Sequence, residues 1–147
     1  MTQPLEECFI FLLSKANQQV QARARERMVA HGITPTQYAV LRVLWEQDGQ
    51  SAAELGQRLV LDAATMVGIL DRLEQNNLLE RRPHPKDRRV NRVHLTKVGR
   101  ALKQPLNKIV EEINAELEAH FGRDLTKLRR VLAELGGVER ETVSSER

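Results

Sequence analysis

Basic side chains are concentrated in one stretch of the chain, residues 81–100. Eight of these twenty residues are Arg or Lys and only Asp87 is acidic, so the stretch carries a net charge of +7. The whole chain carries only +3, which leaves the remainder with an excess of four acidic residues. A basic run is most often part of a solvated surface hairpin. Because clustered cations repel one another, however, so high a concentration of positive charge favours a polyanionic partner.

Two strand-like segments are expected to position the centre of this basic stretch. Residues 78–82 and 91–95 each have the character of a short strand, with β-branched and apolar positions such as Val93 and Leu95 in the second. Two prolines followed by Lys86 and Asp87 mark the loop between them. The pattern predicts a two-stranded wing with Arg88 and Arg89 at its tip.

Two tightly joined helices precede the wing. Ser51 and Glu54 have the spacing of a capping box, which begins a helix ending near Leu59. Asp62 is placed to cap the next helix, residues 63–76. Two helices with so short a connection indicate a helix-turn-helix, whose second helix enters the major groove of DNA.

The second of these helices supplies one set of candidate DNA contacts. Small residues let its backbone approach a groove, a threonine hydroxyl can contact a phosphate or a base edge, and Ala64 or Met66 can meet a thymine methyl group. Tight helix packing would also explain the small residues, and the helix alone does not separate the two interpretations. Together with Ser51, the cap of the first helix, the candidates are Ala63, Ala64, Thr65, Met66, Gly68, Ile69 and Arg72.

The wing supplies the other set of candidate DNA contacts. A guanidinium group is attracted by the strong negative potential of a narrow minor groove, while the remaining bases can neutralise phosphates. We therefore predict double-stranded DNA as a partner of this chain. The wing candidates are Arg82, Lys86, Asp87, Arg88 and Arg89.

Further helices are expected on both sides of the DNA-binding unit. Apolar residues at helical spacing predict one helix over residues 5–30, ended by Gly32, and another from Lys97 onward with a kink at Pro105. A largely apolar helix, capped by Thr34 and beginning at Pro35, is expected to be buried. The N-terminal stripe and the two C-terminal stripes exceed what one small core can cover, so we favour pairing with a second chain over packing within one chain.

These elements define the predicted architecture: mainly α with a small β-wing. Residues 1–147 form a single chain in which residues 34–100 are a winged helix-turn-helix DNA-binding lobe. Residues 5–32 and 101–136 are dimerisation helices, so a homodimer is expected.

Other features of the sequence exclude several classes of protein. No paired acid–base constellation, phosphate loop or metal-spaced cluster of His and Cys is visible, so we expect no enzyme activity, no cofactor and no metal. The early apolar run is too short to span a membrane and lacks the basic start of a signal peptide. The single cysteine fits a reducing compartment, so a cytoplasmic protein without a membrane partner is expected.

Three segments carry a resemblance to a known family: ITPTQYAVLRVL (33–44), SAAELGQRLVLDAATMVGILDRLEQNNLLER (51–81), and KDRRV (86–90) followed by VHLTKVG (93–99). Over residues 5–135 the chain resembles the MarR family of winged-helix transcription regulators. The resemblance implies an obligate dimer, a pseudo-palindromic operator and repression relieved by a small ligand. It also implies that Arg89 enters the minor groove and that Asp87 orients it through a charge-assisted bond.

The same resemblance implies an effector site between the DNA lobe and the dimer helices, with aromatic acids or their coenzyme A thioesters as frequent ligands. His31, Tyr38, Arg42 and Trp45 are the residues of this chain that could form it, with rings for stacking and a guanidinium for a carboxylate. Helical spacing favours the alternative interpretation, in which Tyr38 and Trp45 belong to the core and Arg42 to a surface ion pair.

Cys8 raises the alternative of a peroxide-sensing repressor switched through a thiol. The sequence around Cys8 resembles the first helix of that branch of the family, in which tyrosines activate the cysteine. Leu12 and Pro35 stand at two of the matching positions here and only Tyr38 remains, while Glu6 and Glu7 disfavour a thiolate. The residues therefore favour a structural cysteine that behaves as a small hydrophobe.

Overall fold

The computed structural model describes residues 2–139, which form seven helices and one small sheet. The prediction of a mainly α fold with a β-wing is confirmed. The helices are α1 (Phe9–Met28), α2 (Pro35–Glu46), α3 (Ala52–Leu59), α4 (Ala63–Gln75), α5 (Lys97–Ala101), α6 (Lys103–Phe121) and α7 (Asp124–Leu135). The strands are β1 (Gln50–Ser51), β2 (Leu79–Pro83) and β3 (Asn91–Leu95).

The N-terminal segment is not the single helix that the sequence predicted. Cys8 has an extended backbone and separates a short 3₁₀ turn, Leu5–Glu7, from α1. A second 3₁₀ turn, Val29–His31, tightens the other end of α1, and Gly32 then adopts a left-handed conformation with φ of 69°. This left-handed residue reverses the chain into α2 at a position where a side chain would be strained.

Helix α2 lies at the centre of the domain, as its apolar sequence predicted. Thr34 and Gln37 form a reciprocal capping box, and Pro35 occupies the first helical position. Val40 and Leu41 are fully buried in a core to which α1, α3, α4, α6 and the sheet all contribute.

The helix-turn-helix begins with two side-chain caps. The Ser51 hydroxyl accepts the Glu54 backbone N–H at 3.1 Å, while the Glu54 carboxylate accepts that of Ser51 at 3.2 Å. Asp62 accepts the Thr65 backbone N–H at 2.8 Å. Between the two helices, Val60 adopts a left-handed conformation with φ of 55°, which is unusual for a β-branched residue and makes the connection tight. Both predicted caps are confirmed.

Removal of the Asp62 cap is expected to destabilise the start of α4. The two hydrogen bonds from Thr65 lower the pKa of Asp62 below its ordinary value of 3.8. A depressed carboxyl pKa stabilises the fold above that ordinary value, and the effect is lost as the pH falls through the lowered pKa. The melting temperature of Asp62→Ala should therefore lie below wild type at pH 7 and approach it in acid, whereas Asp62→Asn, which keeps an acceptor oxygen, should lose less. An equal deficit at both pH values would contradict this role.

The sheet contains a third strand that the sequence did not reveal. Its order is β1-β3-β2, all antiparallel, with Gln50 opposite Val93 and Leu79 opposite Leu95. The predicted two-stranded wing is therefore incomplete, because β1 adds to the inner edge of β3. A strand of two residues has no periodicity to detect, and it forms only because β3 offers a free edge.

The C-terminal helical region breaks before the proline rather than bending at it. Pro105 has no N–H to donate to the carbonyl of Ala101, so α5 ends there and α6 begins at Lys103, with Pro105 in its first turn. The apolar stripe of α6 also differs from expectation. Leu106 and Ile113 are buried within the same chain, where α6 packs against α1 and α2. The preference for a second chain over intrachain packing is therefore wrong for this stripe.

Two other apolar surfaces remain exposed in the isolated chain. Phe9 and Ile10 at the start of α1 are 77% and 83% exposed. Most of the apolar side chains of α7 and its flanks are also exposed, namely Phe121, Leu128, Val131, Leu132, Leu135 and Val138. None of the described helices is long and apolar enough to cross a membrane.

Candidate DNA-binding surface

Helix α4 has one buried and one exposed face. Met66, Leu70 and Leu73 point into the core, and Met66 is only 1% exposed. The prediction that Met66 contacts a thymine methyl group is therefore wrong, since its spacing to Leu70 and Leu73 places it on the inward stripe. Ile69 is half-buried against the same core. The candidates that the fold leaves exposed on α4 are Ala63, Ala64, Thr65, Gly68 and Arg72.

Val67 is an exposed apolar residue on α4 that the sequence prediction omitted. Its side chain is 50% exposed, and it precedes the exposed Gly68. The signal was available, because residues 67 and 68 lie on the opposite side of an α-helix from an inward stripe formed by Met66, Leu70 and Leu73. An exposed β-branched side chain can contact a thymine methyl group in place of the buried Met66.

The glycines separate the two interpretations of the small residues in this region. A Cβ at Gly56 on α3 would lie 3.0 Å from the Leu61 carbonyl oxygen and 3.3 Å from Met66, so this glycine permits the close packing of α3 against α4. A Cβ at Gly68 would meet no atom within 4 Å. Packing therefore explains Gly56 but not Gly68, which leaves the outer face of α4 open to a close backbone approach.

The two candidate hydroxyl groups have different capacities for DNA. The Thr65 hydroxyl donates to the Asp62 carboxylate at 2.8 Å, so towards DNA it can act only as an acceptor. The Ser51 hydroxyl accepts from the Glu54 backbone and keeps its own proton to donate. Ser51 is consequently the better phosphate donor, and Thr65 suits an amino group on a base edge.

An open apolar cavity of about 590 Å³ lies between α3 and α4. Gly56, Val60 and Leu61 line it from α3 and the turn, and Ala63, Met66 and Val67 line it from α4. No basic side chain contributes to its lining. The cavity borders the exposed face of α4.

The wing is a β2–β3 hairpin that holds Arg89 at an exposed tip. The strands stay in register to the pair of Pro83 with Asn91, and the His84 backbone N–H then donates to the Val90 carbonyl at 2.7 Å. The Asp87 carboxylate accepts the backbone N–H of Arg89 at 3.1 Å and lies 3.8 Å from its guanidinium nitrogen Nε. The Arg89 side chain is nevertheless 95% exposed. Asp87 therefore orients the arginine mainly through the backbone and leaves the guanidinium available.

Acidic residues outside the basic stretch neutralise part of its charge. Arg81 pairs with Asp71 at 2.7 Å, Arg100 pairs with Asp48 at 3.2 Å, and Arg82 pairs with Glu80. The Arg92 guanidinium donates to the Gly49 carbonyl at 3.0 Å. Within residues 2–139, no ion pair is found for Lys86, Arg88 or Lys97, so the unneutralised charge is concentrated at the wing tip and at the start of α5.

Tyr38, Arg42 and Trp45 meet α5 and α6 along one side of α2. The Tyr38 hydroxyl and the Arg42 guanidinium both donate to the Asn107 side-chain oxygen at 3.0 Å, and the Trp45 indole N–H donates to the Gly99 carbonyl at 3.0 Å. Tyr38 and Trp45 pack edge to face with ring centres 6.0 Å apart. Burial raises the pKa of Tyr38, which keeps its phenol a neutral donor.

The structure thus brings together three of the four predicted effector residues and adds Asn107, which the sequence did not single out. His31 lies in the exposed 3₁₀ turn between α1 and α2 and is not among the residues that make these hydrogen bonds. Both aromatic residues pack against the core, and Arg42 is also 3.4 Å from Glu46, as the structural interpretation expected. Tyr38, Arg42 and Trp45 with their partners thus form a joint between α2 and the segment α5–α6.

Cys8 is half-buried at the N-terminal cap of α1 and forms no disulfide. Tyr38, the one tyrosine that the sequence left as a candidate to activate this thiol, donates its hydroxyl to Asn107 on α6.

The family model and the similar proteins of known sequence agree on one family. The sequence model of the MarR family matches residues 33–90. The chain is 32% identical over 118 residues to the HTH-type transcriptional regulator MhqR of Bacillus subtilis (strain 168), which covers 80% of this chain and 79% of that protein. It is 30% identical over 128 residues to the organic hydroperoxide resistance transcriptional regulator of the same strain, covering 87% of this chain and 86% of the relative.

Solved structures share the fold over nine-tenths of the chain. A probable transcriptional regulator from Pseudomonas aeruginosa has a TM-score of 0.82 at 34% identity, covering 90% of this chain and 99% of that chain. The transcriptional repressor CouR, solved bound to a 23-mer DNA duplex, has a TM-score of 0.79 at 28% identity, covering 92% and 95%. The PcaV regulator from Streptomyces coelicolor, solved in complex with its natural ligand, has a TM-score of 0.81 at 25% identity, covering 91% and 94%.

Proposed function

The chain belongs to the MarR family of DNA-binding transcription regulators, and we propose that it is a dimeric repressor released from a pseudo-palindromic operator by a small ligand. The observation that carries the proposal is the pairing, in one lobe, of an open outer face on α4 with a fully exposed guanidinium at the wing tip. A groove-reading helix and a minor-groove arginine are the two parts that such a reader needs. The solved complex of CouR with DNA supports the same use of this fold.

The proposal assigns different roles to different parts of the chain. Residues 34–100 are assigned to the DNA-binding lobe, and residues 5–32 and 101–136 to the dimerisation helices. The start of α1 and most of α7 carry exposed apolar side chains that a second copy of the chain would cover, and large exposed apolar patches mark interaction surfaces. A two-fold dimer presents two α4 helices to successive major grooves, about 10 bp apart.

Selection of duplexes from a random-sequence pool tests this function directly. The selected DNA should contain two inverted half-sites with centres about 10 bp apart, and sedimentation of the complex should give two chains per duplex. The control variant Ile10→Lys places a charge on the proposed interface and should yield monomers that bind the same duplex weakly. Selected DNA without a repeated half-site, or a wild-type monomer in the complex, would overturn the proposal.

Val67 is expected to contribute to base preference without contributing to stability. Val67→Ala should leave the free energy of unfolding within about 0.5 kcal/mol, since the side chain is exposed. It should reduce discrimination in favour of one thymine in each half-site by about 1 kcal/mol through loss of methyl contact. The control Met66→Leu alters a buried neighbour of similar volume and should leave the base preference unchanged. Competition titrations with single-base operator variants measure both effects.

The effector is proposed to act at the joint of Tyr38, Arg42 and Asn107, with an aromatic acid or an acyl-CoA as the ligand class. Arg42 is half-exposed and offers a guanidinium to a carboxylate, and Tyr38 and Trp45 offer aromatic surfaces. A carboxylate that takes Arg42 from Asn107 would loosen the contact between α2 and α6. Such a change would alter the spacing of the two DNA-binding lobes in the dimer.

A thermal-shift screen of aromatic acids and acyl-CoA esters identifies the ligand, because binding to the folded state raises the melting temperature. Arg42→Gln should abolish the shift. Arg129→Gln, which removes a comparable surface arginine paired with Glu118 on α6, should keep it. A ligand whose shift survives in Arg42→Gln binds elsewhere and would overturn this assignment.

Peroxide sensing through Cys8 is the second candidate function. The similarity to the organic hydroperoxide resistance regulator over most of the chain favours it, as does the incomplete burial of the thiol. Organic peroxide should then release wild-type protein from its operator but leave the Cys8→Ser variant bound. Wild-type protein that stays bound under peroxide would exclude this mechanism.

A further inference from the structure

His84 lies at the base of the wing loop and is not among the DNA contacts proposed above. Its Nδ1 atom accepts two backbone N–H groups, from Lys86 at 3.0 Å and from Asp87 at 3.3 Å. Its own backbone N–H donates to the Val90 carbonyl, which closes the loop onto the last pair of the hairpin. The half-buried imidazole therefore holds the loop at Lys86 and Asp87, while the backbone of the same residue closes the loop at Val90.

These contacts continue to the exposed arginine. The Asp87 backbone is fixed by His84, the Asp87 carboxylate accepts the Arg89 N–H, and the Val90 N–H donates to the Asp87 carbonyl at 3.1 Å. We propose that His84 is a positioning residue that sets the direction of Arg89 towards DNA. The inference rests on the proposed role of Arg89 and adds the residue that prepares it.

The chemistry of the contact requires a specific form of the side chain. An Nδ1 atom that accepts two N–H groups carries no proton, so the neutral ring must hold its proton on Nε2. A preorganised loop fixes Arg89 before the encounter and removes the entropy cost of ordering it in the complex. Loss of the acceptor should therefore weaken specific binding by releasing the loop that positions Arg89.

Amide hydrogen exchange tests the role of His84 in the free protein, without DNA. Asparagine places its side-chain oxygen the same number of bonds from the backbone as Nδ1, whereas glutamine places its oxygen one bond further away. Exchange of the Lys86 and Asp87 amide protons should be slow in wild type and His84→Asn, and fast in His84→Ala and His84→Gln. Long-range nitrogen NMR spectra should show the His84 proton on Nε2. Unchanged amide exchange in His84→Ala would overturn the proposal.

The DNA test is a double-mutant cycle on the duplex selected by the wild-type protein. His84→Ala should weaken binding about tenfold, His84→Asn should restore it, and His84→Ala should add almost nothing in an Arg89→Ala background, because one residue acts through the other. Additive effects would overturn the positioning role. If Arg89→Ala alone binds as well as wild type, the proposed wing function fails, whereas loss in Arg89→Ala with none in His84→Ala defeats only this inference.

Discussion

Arg89→Ala is expected to weaken operator binding by about 1–3 kcal/mol in each half-site, and so by about 2–6 kcal/mol for a dimer that engages two. The guanidinium is 95% exposed, its backbone is fixed by Asp87, and nothing in the described chain buries it. Removal should therefore cost DNA contacts and not folding stability. A thermal melt of the free variant within 1–2 °C of wild type would accompany the loss of binding.

Lys97→Ala is the matched control for this effect. Lys97 lies at the exposed start of α5, and within residues 2–139 it forms no ion pair, which suits a phosphate contact. Its loss should weaken binding to all duplexes equally and reduce the salt dependence by about one counterion, whereas Arg89→Ala should also lose the preference for a narrow, A·T-rich minor groove. Titrations at several salt concentrations distinguish the two, and a uniform loss in Arg89→Ala would contradict minor-groove recognition.

Gly99→Ala is expected to destabilise the fold by about 3 kcal/mol or more, which lowers the melting temperature of a chain of this size by roughly 10 °C. A Cβ at Gly99 would lie well inside contact distance of the Leu78 carbonyl oxygen and 3.3 Å from Leu95. Helix α5 could relieve the clash only by moving outward. That movement would break the hydrogen bond from the Trp45 indole to the Gly99 carbonyl and the bond from the Thr96 N–H to Leu78.

Gly68→Ala is the control variant, for which stability is expected to rise rather than fall. Gly68 lies in the interior of α4 with open space around its missing side chain, so alanine should raise stability by up to about 1 kcal/mol through its helix propensity. The added methyl group lies on the proposed DNA face and should weaken operator binding. Calorimetric melting of both variants checks the pair, and similar melting temperatures for Gly99→Ala and Gly68→Ala would contradict the packing described at Gly99.

Residues with strong local signals were predictable from the sequence. The caps Thr34, Ser51, Asp62 and Thr96 satisfy backbone groups three residues away, so their chemistry is complete within one turn. The exposed tip at Arg89 follows equally from proline and charge patterns. Val67 belongs to this class, since the inward stripe of α4 already assigned it to the outer face.

The remaining features depend on contacts between distant segments. Strand β1 forms because β3 offers an edge, Asp48 lies 52 residues from its partner Arg100, and Asn107 reaches α2 only through packing of α6. None of these pairings leaves a periodic trace in the sequence.

The sequence by itself determined the order of the main helices and the β2–β3 hairpin, the helix caps and the concentration of positive charge at the wing, because each depends on neighbouring residues. Only the tertiary structure decided which of the basic side chains stay unpaired and joined Tyr38 and Arg42 to Asn107. It also gave His84 its two backbone partners. These outcomes require segments that are remote in sequence, or a loop closed by a hairpin, to meet at hydrogen-bonding distance.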